Sequence, residues 1–169
     1  MEVWTVSLFW FALMHLTGCM CYSNFNFGWI VYVLLFNRKH LVSFVTCNHI
    51  ATITPWYVSW AMDPSIPSRM FQKYGWSARQ FALGDLVLHV MPTLAVVYMN
   101  AGLRGTPQIQ YPGMHSLLVH LLWGAVQQPS FDVIRLYIPM SVHMCNLLWT
   151  VLVMSHALAS TASYLYVYK

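Results

Sequence analysis

The chain has 169 residues, 59% of them hydrophobic and only 7% charged, with eight Lys and Arg against four acids for a net charge of +4. A soluble domain carries roughly 25% charged residues because its surface must be hydrated, so this composition excludes an ordinary water-soluble enzyme and points to an integral membrane protein. The basic residues are scattered and form no stripe, which removes nucleic acid from the expected partners. What remains is the lipid bilayer with its anionic headgroups, together with other transmembrane subunits.

At about 20 residues per crossing, the expected fold is all-α, a single integral membrane domain over 1–169 built as a polytopic transmembrane helical bundle of five to six segments. The first apolar segment, 3–22, is preceded only by Glu2 and lacks the basic start of a secretory signal, so it is expected to be a retained helix. The second, 24–36, is short. Its ten apolar residues, 27–36, rise only about 15 Å, so it needs the preceding turn or snorkelling by Arg38 and Lys39 to cross, with a re-entrant hairpin as the alternative.

The third segment, 41–62, is long enough to span and carries Asn48, His49, Thr52 and Pro55 near its centre. The polar stretch 63–80, with two prolines, Arg69, Lys73, Arg79 and the aromatic pair Tyr74 and Trp76, reads as a loop lying along the headgroups. The fourth segment, 81–99, contains "GDLVLHVMP"; a loop punctuated by Gly and Pro, 100–113, follows it. The fifth, 114–128, is too short to span comfortably. The sixth, 136–168, would rise about 50 Å as one helix and must tilt, protrude or break. Six crossings put Arg38, Lys39, Arg104 and Lys169 on one side and Arg69, Lys73, Arg79 and Arg135 on the other. That tie leaves orientation open.

Polar groups inside the apolar segments carry the chemistry. Asp85 and His89 are one helical turn apart and share a face, and a lone carboxylate in lipid costs at least about 2.5 kcal/mol, so the pair should face protein or water. Pro92 follows and should bend the helix. Asn48 and His49 in the third segment, and His143 and Asn146 in the sixth, lie at comparable depth. These six residues form the expected intramembrane cluster, either a proton- or ligand-handling site or an internally paired contact that fixes helix packing. No catalytic residue is assigned.

No metal site is expected, because HxxxH and HxxHH spacings are missing and His115 and His120, five apart, do not share a face. No cofactor is expected either, with haem b on His49, His89 or His143 as the lesser alternative. Asp132 and Arg135 read as a capping and interfacial ion pair. Arg135, Arg38 and Lys39 are the candidate contacts for anions or lipid headgroups. Cys19, Cys21, Cys47 and Cys145 read as buried small side chains. There is no GxSxG elbow, and no local motif pairs a serine with His and Asp. The expected function is therefore that of a helical subunit of a larger membrane assembly or a small proton-coupled transporter. The alternative is an intramembrane enzyme or haem redox protein.

Overall fold

The computed structural model describes residues 1–17 and 22–126, together with Val151 and Leu158. The sixth segment, with Asp132, Arg135, His143, Cys145 and Asn146, lies outside these, as do Cys19 and Cys21. Among the described residues all regular structure is helical. In chain order the helices are α1 (Glu2–Thr17), α2 (Tyr22–Leu35), α3 (Val42–Met62), α4 (Ile66–Tyr74), α5 (Ala78–Ala101) and α6 (Pro112–Val126), with a 3₁₀ turn at Lys39–Leu41 before α3.

Helix α3 is central and packs on α2, α5 and α6. Phe25, Trp29, Ile30 and Val33 of α2 meet Phe44 and Val45 of α3 in the buried core, joined by Val119 of α6 and Met99 of α5. Rings fill much of this volume. Phe11 stacks on Phe25 with centroids 4.7 Å apart, and Trp29 meets Phe44 edge-on at 4.9 Å. Helix α1 comes close to α2 at Gly28, where an added Cβ would stand 2.9 Å from the Trp10 indole.

The all-α class holds, but the expectation of five to six spans narrows. Among the described residues one helix, α5, is long and apolar enough to cross a bilayer by itself. Its 24 residues rise about 36 Å against a hydrocarbon core of about 30 Å. Helix α2 falls short of that thickness. Helix α3 has the length, yet Thr46, Asn48, His49, Thr52 and Thr54 interrupt its apolar character.

The stretch expected as a headgroup loop folds instead into α4 and the start of α5. Asp63 accepts from the Ser65 amide and hydroxyl at 3.0 and 2.6 Å and from Arg69 at 2.6 Å. Pro67 in the first turn suits a helix start because its missing N–H is not needed there. Gly75, at φ 65°, ends α4 in the left-handed conformation that glycine adopts without strain. A capping box then opens α5: Ser77 Oγ accepts from the Gln80 amide, and Gln80 Oε1 accepts from the Ser77 amide.

Helix α5 widens into a π turn at Leu86–Val90, where the Met91 amide donates to the Leu86 carbonyl. Pro92 stands two residues on. It cannot donate to Leu88, and its ring would press on that carbonyl in a regular α-helix, so the added residue in the turn relieves both problems. The loop 102–111 is tied down by Gln108, whose Oε1 accepts from the Ser43 amide at 2.9 Å while Nε2 donates to the Lys39 carbonyl at 3.0 Å. One of the orphan amides at the start of α3 is thereby satisfied.

Candidate functional site: a two-part polar chain between the helices

Asp85 and His89 meet as their spacing implies. Asp85 Oδ1 accepts from His89 Nδ1 at 2.8 Å, and the π turn lies directly over the pair. The carboxylate collects two further donors from α3: Trp56 Nε1 at 3.0 Å onto Oδ1 and Tyr57 OH at 3.3 Å onto Oδ2. Trp56 also stacks on the His89 ring, centroids 5.3 Å apart and 20° between planes. Three donors and one aromatic face hold the acid and the imidazole in a single arrangement. His89 Nε2 then faces Ser23 Oγ of α2 at 2.9 Å. With Nδ1–H committed to the carboxylate, a neutral ring accepts the serine proton at Nε2.

A second group of side chains lies deeper. Asn26 and Asn48 are completely buried, and His49 is nearly so. Ser116 Oγ donates to Asn48 Oδ1 at 3.4 Å, and Asn48 Nδ2 donates to Asn26 Oδ1 at 3.1 Å. Asn26 Nδ2 therefore faces His49 Nδ1, 2.9 Å away. An amide nitrogen only donates, so His49 Nδ1 accepts and its proton sits on Nε2. From there it donates to Thr93 Oγ1 at 2.8 Å, and Thr93 donates to the His89 carbonyl at 2.6 Å. Five hydrogen bonds run in one sense from α6 through α3 and α2 to α5. Bonds aligned head to tail polarise one another, and in a dry interior each is costly to break.

The chain's end point decides what it can do. It stops at the backbone carbonyl of His89, not at the imidazole, and two of its links are carboxamides, which do not readily pass a proton on. The deep half therefore locks four helices together, and the Asp85–His89–Ser23 half is the part fit for acid–base chemistry. Asp85 retains 15% side-chain exposure and His89 8%, and Ser23 is half-buried, so this half reaches the surface.

Of the six residues expected to form one cluster, the structure pairs Asp85 with His89 and places Asn48 and His49 in a second group that touches the first only through Thr93 and the His89 carbonyl; His143 and Asn146 lie outside the described residues. Ser23, Asn26, Trp56, Tyr57, Thr93 and Ser116 escaped the sequence reading because each is a common packing residue whose partner is distant in sequence. Both ring nitrogens of His49 and of His89 are engaged by protein groups, so neither offers a free nitrogen to haem iron. Among the described residues no three His, Cys, Asp or Glu side chains come together as a metal-ligand set.

The candidate anion- or lipid-contact cations divide. Arg38 Nε pairs with Glu2 Oε1 at 3.2 Å, with Tyr32 OH and His40 Nε2 on the same carboxylate at 2.7 and 3.1 Å, while Lys39 is exposed. Burial alone would raise the Glu2 pKa, but the Tyr32 and His40 hydrogen bonds and the Arg38 charge together hold it below the ordinary carboxylate value. Arg135, the third candidate, is outside the described residues. Comparison of the chain with protein-family models, with curated proteins and with solved structures finds no match to any of them.

Proposed function

We propose that the chain is a multi-pass integral membrane protein serving as a helical subunit of a larger membrane assembly. The observation that carries this reading is the inside-out character of α5. Only 22% of its most apolar stretch is buried, and its exposed side chains include Leu83, Leu86, Val90, Leu94 and Val97. Meanwhile its Asp85, His89 and Thr93 turn inward onto α2 and α3. In water that distribution would leave a row of large apolar side chains hydrated while the polar ones are hidden, whereas it suits lipid and neighbouring helices. The low charged fraction of the chain points the same way.

The deep polar chain supports a packing role over proton-coupled transport. Its groups are paired with one another, and its links include amides and a backbone carbonyl. Purification of the full chain from membranes in mild detergent tests the reading: partner chains should co-purify in fixed ratio, and a clean monomer without associates would count against it. Reconstitution in liposomes tests the transport alternative. A pH-driven flux abolished by Asp85→Asn would replace the subunit reading with that one.

A further inference from the structure

We propose that Ser23, His89 and Asp85 form a hydrolytic site for carboxylic esters of apolar acyl chains, with Ser23 as nucleophile, His89 as general base and Asp85 as the positioning residue. Three facts of geometry carry this. The serine oxygen is 2.9 Å from His89 Nε2, within the reach a nucleophile–base pair requires. The other ring nitrogen is 2.8 Å from the Asp85 carboxylate, which fixes the tautomer that leaves Nε2 free to accept. Asp85 is itself held by Trp56 and Tyr57, which orient its carboxylate toward the imidazole. This is the relation of roles by which such a triad is recognised, whatever the chain order or fold.

The chemistry balances with water as the only co-reactant. Ser23 Oγ adds to the ester carbonyl carbon while its proton passes to His89 Nε2. The tetrahedral adduct collapses, the bond from carbon to the alcohol oxygen breaks, and His89 returns the proton to the departing alcohol. Water then attacks the acyl–Ser23 ester, again losing a proton to Nε2. Collapse releases the carboxylic acid, and the proton goes back to Ser23 Oγ. The site's surroundings set the substrate class. Phe27, one turn after Ser23 on α2 and so on the same helix face, is an exposed apolar side chain, and an acyl chain delivered from an apolar phase fits beside it better than a charged substrate.

The test uses the full chain in mild detergent, reacted with a fluorophosphonate probe, with the adduct mapped by mass spectrometry of peptides. The expected result is an adduct on Ser23 that is lost in Ser23→Ala and His89→Ala. Asp85→Asn should label at least about 100-fold more slowly with an altered pH–rate profile, and wild-type protein should hydrolyse p-nitrophenyl octanoate faster than the acetate. The proposal is overturned if wild-type protein that unfolds cooperatively on heating carries no adduct on Ser23, or if His89→Ala labels at the wild-type rate. Should a variant fail to fold, the adduct map of the wild-type chain decides by itself. None of these readouts depends on partner chains, so failure here leaves the subunit reading standing.

Discussion

His49 of α3 and Thr93 of α5 are joined by a 2.8 Å hydrogen bond in which the imidazole Nε2–H donates to the threonine hydroxyl. Thr93 hands the bond on to the His89 carbonyl. The deep, fully paired half of the interior is tied in this way to the backbone of the shallower Asp85–His89–Ser23 half, without a route for a proton between them. We predict that Thr93→Val, close to isosteric, leaves His49 Nε2–H unpaired in a buried setting and destabilises the protein by about 1–3 kcal/mol. Denaturant or SDS unfolding measures this, and an unchanged midpoint would show that the link is not needed.

Asn26 serves two partners at once, accepting from Asn48 and donating to His49. Removal of its amide by Asn26→Ala should therefore cost more than Thr93→Val. The two changes act on one aligned chain, so their effects are predicted to be non-additive, with a coupling of about 0.5–3 kcal/mol in a double-mutant cycle. Additive effects would mean that the bonds behave as independent pairs.

Gly28 lets the Trp10 indole lie against the backbone of α2. In Gly28→Ala the new methyl meets a rigid ring 2.9–3.1 Å away, so the helices must part, at a cost of about 1–3 kcal/mol typical of overpacking. Adding Trp10→Leu to Gly28→Ala should recover part of the loss. Thermal unfolding of the single and double variants reads this out.

Leu94 is 64% exposed on the outer face of α5. If that face meets lipid, Leu94→Arg is predicted to oppose insertion by about 2.5–3.5 kcal/mol when the site lies near the bilayer centre. A glycosylation-based insertion assay, or alkaline carbonate extraction, compares the two chains. Equal membrane retention and equal insertion would remove α5 as a lipid-facing span.

Asp63 lies between the helices and is held at a pKa of about 2, chiefly by the Ser65 side chain, then by Arg69 and the Ser65 amide. Its pKa is depressed from the ordinary 3.8, so its contribution to holding the start of α4 is fully present above that value and disappears as pH falls through about 2. Carboxyl NMR should show a titration midpoint near 2 for Asp63, with Arg69 side-chain exchange rising over the same interval. A midpoint at the unperturbed value would show the turn to be open.

The sequence by itself determined the class of interior and the direction of the search. An apolar chain with few charges must bury its surface or place it in lipid, and Asp85 and His89 at i, i+4 must share a helix face, which is local geometry. The pressure of Pro92 on its helix was likewise written in neighbouring residues, because proline effects act within a turn or two; the capping box at Ser77–Gln80 is equally local, yet it lay in a stretch whose polarity reads as a loop. Only the tertiary structure decided which side chains from other helices complete the pair. Ser23 lies 66 positions from His89 and Thr93 lies 44 from His49, and no periodicity encodes contacts of that range. It also decided that the histidines form two separate groups. A ring nitrogen's role is set by its partner across the helix interface, and here one histidine's partners are an amide and a hydroxyl, while the other's are a carboxylate and a serine.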